Sequence, residues 1–186
     1  MKFAYNKTWI LFVAAEEQGK TYQTEKLIRE ARVKEDRLRI LDPNNKFGAH
    51  KKAKITIPSI LEHTPAYLDR WLFERRAEKN ILIIADDIDV FLKTGYESKQ
   101  LDEIGKTINQ QSIGGILHSH RARFFNARIY QIVDYVFVGF GLRGSDLTFL
   151  RENANLDLDL YRKVRPRTWV LIDQEEYKPQ RIVGGV

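Results

Sequence analysis

Apolar and polar positions alternate between two rhythms along this chain. Continuous apolar runs at 9–13, 81–85, 113–117 and 135–140 predict strands. Short apolar runs of that kind, bounded by turn residues, suit strands buried on both faces of a parallel sheet. Two shorter strands are predicted at 37–41, closed by the turn Asp42-Pro43-Asn44-Asn45, and at 55–57. Between them the period changes to that of a helix. Residues 20–33 place Leu27, Ile28 and Ala31 inward and Lys26, Arg29, Glu30 and Arg32 outward. A second helix opens at Thr64 as N-cap with Pro65 in its first position, burying Tyr67, Leu68, Trp71 and Leu72. Further helices are expected over 98–111, capped by Ser98 with Leu101, Ile104 and Ile108 inward, over 126–133, and from Ser145-Asp146 to about 153. Residues 168–172 and 180–183 read as two strands joined by a polar turn, an edge hairpin. Strand and helix alternate, so the expected class is α/β: a mostly parallel central sheet flanked by helices, with a C-terminal β-hairpin.

Composition narrows this picture. The 186 residues suffice for one domain, 1–186, with a substantial core. At 43% hydrophobic and 30% charged the chain is globular in type. It has no cysteine, which excludes disulfides, cysteine-ligated metals and thiol catalysis. No run approaches the ~20 apolar residues of a membrane span, and no leader pattern opens the chain. The expectation is therefore a cytoplasmic protein without a membrane partner, in the host cytoplasm if viral. A net charge of +6 and a pI near 9.4 favour a polyanionic partner, nucleic acid first, with solubility as the plainer explanation. The basic loop 43–54 reads equally as a DNA-facing segment or a solvated connection. His50 within it reads as a surface residue.

The first strand leads into Ala14-Ala15-Glu16-Glu17-Gln18-Gly19-Lys20-Thr21-Tyr22 and then a helix. Strand, Gly-Lys-Thr loop and helix in that order suit a phosphate loop, with an ordinary strand–turn–helix as the plainer reading. Backbone N–H groups there face a phosphate, and the helix dipole favours its charge. Lys20 would reach the β- and γ-phosphates, and the Thr21 hydroxyl would ligate Mg²⁺. The pattern wants glycine at 14; alanine fits if its φ stays negative. The run 81–85 ends in Asp86-Asp87, and ligands of α/β sheets gather beyond the carboxyl ends of strands. Asp86 would hold Mg²⁺; Asp87 would orient and deprotonate the attacking water. Asp89 reads as a helix-start acid. The run 113–117 ends in His118-Ser119-His120-Arg121, where a polar tip suits a γ-phosphate sensor. Two histidines two residues apart could instead pair on a metal.

Phosphate loop, apolar-Asp-acid strand and sensor strand stand in order. Together they resemble the FtsK/HerA superfamily of phosphate-loop ATPases, in particular its small viral genome-packaging members. The likeness runs from about Trp9 to Phe140 and is strongest at Gly115-Ile116-Leu117-His118-Ser119-His120-Arg121, which is similar to the family's strand ending in Thr-Gln-Arg. Leu41-Asp42-Pro43 is similar to the family's Asp-Pro after its second strand. The resemblance implies a RecA-like core, of the ASCE type, with the sensor strand between the phosphate-loop strand and the Asp86 strand. It also implies ATP and Mg²⁺ as cofactors, a ring that is usually a hexamer, movement of double-stranded DNA, and an arginine finger from the neighbouring subunit. The chain departs from the pattern in four places. Ala14 replaces Gly, Asp87 replaces Glu, and His120 replaces Gln. Asn109 lies closest to the arginine many members carry before the sensor strand. The finger would then be one of Arg121, Arg123, Arg128, Arg143 and Arg151, with Arg143, beyond a strand end, preferred.

The leading expectation is an ATP-hydrolysing DNA translocase, acting in viral genome packaging with a capsid or portal component as a further partner. The catalytic set would be Lys20, Asp87, His120 and Arg143, and the metal ligands Thr21 and Asp86. The alternatives are a Zot-like virion assembly or export ATPase, which would need a membrane anchor, a nucleotide kinase with a lid of clustered arginines such as Arg121, Arg123 and Arg128, and a DNA-binding module with a degenerate loop.

Overall fold

The continuous apolar runs form the middle of a single sheet. The computed structural model describes residues 3–92, 103, 112–125, 127–174 and 179–184. Its strands are β1 (Trp9–Val13), β2 (Leu38–Leu41), β3 (Lys54–Thr56), β4 (Ile81–Ala85), β5 (Ile113–Ser119), β6 (Tyr135–Gly139), β7 (Thr168–Asp173) and β8 (Arg181–Gly184). They lie in the order β3-β2-β4-β5-β1-β6-β7-β8. From β3 to β6 every pairing is parallel; β7 runs antiparallel to β6, and β8 to β7. The sensor strand β5 thus sits between β1 and β4, as the resemblance implies, and the C-terminal hairpin closes one edge of the sheet.

Helices α1 (Lys20–Glu30), α2 (Pro65–Arg75), α3 (Ile129–Ile132), α4 (Gly144–Ala154) and α5 (Leu158–Tyr161) complete the described secondary structure, together with short 3₁₀ turns. The Thr64 side chain accepts from Tyr67 N–H at the start of α2, as its sequence predicts. The helix expected over 98–111 lies outside the described residues, apart from Glu103. Asn126, expected to open α3, lies outside them too.

Alternation along β1 shows how the strands are used. Trp9, Leu11 and Val13 pack on one side of the sheet, with α2 and α4. Ile10 and Phe12 pack on the other, with Leu27 and Ile28 of α1. Every residue of β1 and β4 is buried, so helices cover both faces of the centre. Two boundaries differ from the sequence reading. Helix α1 stops at Glu30 because Arg32 turns left-handed, at φ 52°. Strand β5 runs on to Ser119, because its pairing with β1 continues to Val13 opposite Ser119. His118 and Ser119 are therefore buried strand residues and not a loop.

Candidate functional site

The chain leaves β1 at Ala14 and turns back sharply into α1. Ala14 N–H still donates to Ser119 O (3.1 Å), and Ala15 N–H to Phe140 O (3.2 Å), so the loop begins as an extension of the sheet. Left-handed backbone at Glu17 (φ 58°) and Gly19 (φ 85°) produces the reversal. Ala14 is not among the positive-φ residues, which is the condition on which alanine can replace glycine there. Its methyl has room because β6 ends in glycine. A Cβ on Gly139 would stand 2.7 Å from the Ala14 Cβ, and one on Gly141 would stand 2.7 Å from that of Ala15. The extra carbons of Ala14-Ala15 are thus matched by two missing ones on the neighbouring strand and turn.

Beyond this loop a cavity of about 690 Å³ opens at the carboxyl rim of the sheet. Residues 16–22 line it on one side; Asn44, Lys46, Asp87, His120 and Arg167 line it on the others. Lys20 is only 5% exposed and curls beneath the loop. Its ammonium donates to Ala14 O (3.0 Å) and Ala15 O (3.2 Å) and lies 3.0 Å from His120 Nδ1. Burial lowers its pKa to about 8, against the opposing pull of Asp87, Asp86 and Asp89.

From Lys20 a continuous polar circuit crosses the site. His120 Nε2 donates to Asp87 Oδ1 at 2.6 Å, which leaves Nδ1 to accept from Lys20. The other Asp87 oxygen accepts from the Asn44 amide and from Lys46 Nζ (2.5 Å). Lys46 Nζ also lies 3.1 Å from Asp86 Oδ2. Asp86 Oδ1 accepts from His118 Nδ1–H (2.6 Å), and His118 Nε2 accepts from the Thr24 hydroxyl (2.7 Å), one turn along α1 from Lys20. Thr24, His118 and Asp86 are wholly buried. Lys20 and Asp86, far apart in sequence, therefore meet on one rim. Thr21, in the first turn of α1, lines the same cavity.

The carboxylates are held in the charged state. Burial works to raise the Asp86 pKa, but the hydrogen bond from His118 and the charge of Lys46 outweigh it and lower it. For Asp87, burial is outweighed by hydrogen bonds from His120 and Lys46, which hold its carboxyl well below the usual range. Asp89 differs: burial pushes its carboxyl up. Asp89 is the acid in the first turn of the 3₁₀ helix Ile88–Val90, as expected, and its side chain also accepts from Ser119 Oγ and from His120 N–H (2.5 Å), which fixes the end of β5.

Asp86 Oδ2 is buried and has no well-aligned hydrogen bond; its close partner is the Lys46 ammonium at 3.1 Å, whose place a cation could take. With the Thr21 hydroxyl this donor set suits a magnesium ion completed by phosphate oxygens. Among the described residues no group of three or more His, Asp and Glu side chains could hold a metal alone. His118 and His120 instead bond to different carboxylates. Of the five finger candidates, none is among the described residues lining the cavity. Arg121 is bound through Nε to the buried Asp146 (2.9 Å), while Arg143, at the N-cap of α4, and Arg151, within it, are exposed. Three lining residues escaped the sequence reading. Asn44 and Lys46 come from the basic loop, whose composition signals only a charged surface. Arg167 comes from the turn before β7; its N–H donates to the Gln18 side chain (3.2 Å). His50 is half-buried against Glu25 (2.8 Å).

No protein-family model matches the chain, and no curated protein matches it. Solved structures do. The chain is similar to the genome packaging NTPase B204 from Sulfolobus turreted icosahedral virus 2, in complex with AMPPCP, at a TM-score of 0.77 and 12% identity, covering 97% of this chain and 99% of that one. B204 described as the DNA-packaging ATPase from Sulfolobus turreted icosahedral virus gives a TM-score of 0.76 at 11% identity, covering 97% and 98%. The cytoplasmic domain of the type VII secretion ATPase EccC of Thermomonospora curvata gives 0.63 at 11%, covering 96% of this chain and 25% of that one. At such identities the likeness is one of fold, and it is to the kinds of ATPase that the order of motifs resembles.

Proposed function

We propose that this chain is a Mg²⁺-dependent ATPase that moves double-stranded DNA, working as a ring, usually a hexamer in the family it resembles, in the packaging of a viral genome. The observation that carries the reading is the convergence of Lys20, Thr21, Asp87 and His120 on one cavity behind a strand–loop–helix turn, with Asp86 buried beside it and joined to it through Lys46. Similarity in fold to packaging NTPases crystallised with ATP analogues supports it.

In this reading residues 14–22 cradle the phosphates with backbone N–H groups, and the Lys20 ammonium pairs with the β- and γ-phosphates. Thr21 and Asp86 hold the magnesium ion, which when bound neutralises charge developing on the phosphate oxygens. His118, fixed by Thr24, aims the Asp86 carboxylate. Asp87 orients the attacking water and takes its proton. His120 bridges Lys20 and Asp87 and so is placed to register the terminal phosphate. Arg143, exposed and outside its own cavity, is suited to reach the site of a neighbouring subunit. The exposed lysines 51, 52 and 54 and the net charge of +6 support a DNA partner. A capsid or portal component would be the docking partner. No described helix is long and apolar enough to cross a membrane.

Phosphate release from ATP by the purified chain, with and without double-stranded DNA, tests this. Turnover should require Mg²⁺, rise with DNA, and be abolished by Lys20→Ala or Asp86→Ala. Unchanged hydrolysis in either variant rules the ATPase out. DNA-independent turnover rules out the motor while leaving the ATPase.

A further inference from the structure

We propose that Lys46 is a second phosphate-binding cation of this site: it holds Asp86 and Asp87 together until a divalent ion takes the carboxylates, and then turns to the terminal phosphate of the nucleotide. The inference rests on the ATPase reading and deepens it.

The position of Lys46 is built rather than accidental. The wholly buried Asp42 carboxylate accepts from Lys46 N–H (2.9 Å) and from Phe47 N–H (2.8 Å), and Phe47 is itself wholly buried. Asn45 makes the turn between them in a left-handed conformation, at φ 53°. The loop backbone is therefore fixed at the end of β2. The Lys46 side chain is not: it is 38% exposed and reaches into the cavity from its open side. A long flexible stem on a pinned backbone can move its ammonium by rotamer change alone.

Charge and hydrogen bonding explain why it would move. Lys46 Nζ lies 2.5 Å from Asp87 and 3.1 Å from Asp86, the two carboxylates whose charges a divalent ion would otherwise balance. Asp86 Oδ2, which has no other polar partner, is the oxygen it faces. A divalent ion held there repels the ammonium. Meanwhile Asp87 accepts from His120 through one oxygen and from Asn44 and Lys46 through the other. Departure of Lys46 frees a lone pair on Asp87 Oδ2, the oxygen it shares with Asn44, and takes a positive charge away from the carboxylate. The displaced ammonium stays in the same cavity as Lys20, and the terminal phosphate is the anion left for it there. A cation supplied within the chain also suits a sensor segment in which Arg121 is already committed to Asp146.

Two titrations on the full chain test the proposal, using Lys46→Met, which keeps the stem, and Lys46→Arg, which keeps the charge. Manganese binding to nucleotide-free protein, followed by electron paramagnetic resonance, should tighten about tenfold in Lys46→Met and stay near wild type in Lys46→Arg. Affinity for Mg–AMPPCP should fall about tenfold in Lys46→Met, while that for Mg–ADP changes by less than about twofold. Unchanged or weaker manganese binding in Lys46→Met overturns the proposal, as does an equal loss for both nucleotides. Asp86→Asn separates the two levels. If it weakens manganese binding while Lys46→Met has no effect, only the role of Lys46 fails. If Asp86→Asn leaves both manganese and nucleotide binding unchanged, the ATPase reading fails and takes this proposal with it.

Discussion

Lys20→Met should change the stability of the protein in a way that depends on pH. Lys20 has a pKa near 8 in the folded chain, against an ordinary value of 10.5, chiefly because it is buried. Between those values the unfolded chain binds the proton and the folded chain does not, so stability rises with pH across that window. Below pH 8 folding must bury an ammonium, and the folded state bears the cost. Integrating the two titrations from pH 7 to pH 10 gives about 2.5 kcal/mol of stability gained by wild type and not by Lys20→Met. Groups common to both proteins titrate in the same window and cancel in the difference. Urea denaturation of both proteins at pH 7, 8, 9 and 10, without nucleotide, measures it. Wild type should gain on the variant steadily above pH 8. A difference that stays constant within about 0.5 kcal/mol would mean that Lys20 keeps its ordinary pKa and is not enclosed by the loop. The same shift bears on function: a bound triphosphate favours the charged ammonium, so nucleotide binding should take up a proton and weaken as pH rises above 8.

Other consequences are open to simpler tests. Gly139→Ala forces a Cβ to 2.7 Å from both Ala14 and the Trp169 ring, and should destabilise by about 2 kcal/mol. Adding Ala14→Gly should return about 1 kcal/mol of that, and strict additivity in the double-mutant cycle would show that the two carbons do not compete. His118→Ala strips a wholly buried carboxylate of its donor and should cost about 3–5 kcal/mol in chemical denaturation, whereas Thr24→Val should cost only about 1 kcal/mol. A loss for His118→Ala no larger than for Thr24→Val would contradict the place of His118 as the partner of Asp86.

The sheet was largely visible in the sequence because its central strands are buried on both sides and so read as unbroken apolar runs. The order of β5 between β1 and β4 came from resemblance, since nothing in the spacing of apolar residues fixes which strands pair. Lys20, Asp87 and His120 were legible because each follows a strand and so must emerge at the same rim. Lys46, Asn44 and Arg167 were not. Each lies in a polar turn, where composition cannot tell a side chain facing solvent from one folded back onto a carboxylate. The Asp42-Pro43 turn was the available signal, because a buried acid there draws the N–H groups of Lys46 and Phe47 inward. Asp89 is legible as a helix-start acid, but its second role is hidden for a related reason: Ser119 and the backbone of His120, which it also binds, are remote in sequence. The match between Ala14 and Gly139 was likewise hidden, being a contact between β1 and its neighbour β6.

Calorimetric titration of AMPPCP into the chain, in magnesium and in EDTA, addresses the meeting of position 20 and position 86 most directly. Wild type should bind one nucleotide per chain more tightly with magnesium, Lys20→Ala should lose binding under both conditions, and Asp86→Asn should lose only the gain from magnesium. Binding that survives Lys20→Ala intact, or a magnesium effect that survives Asp86→Asn, would place the triphosphate somewhere other than this rim.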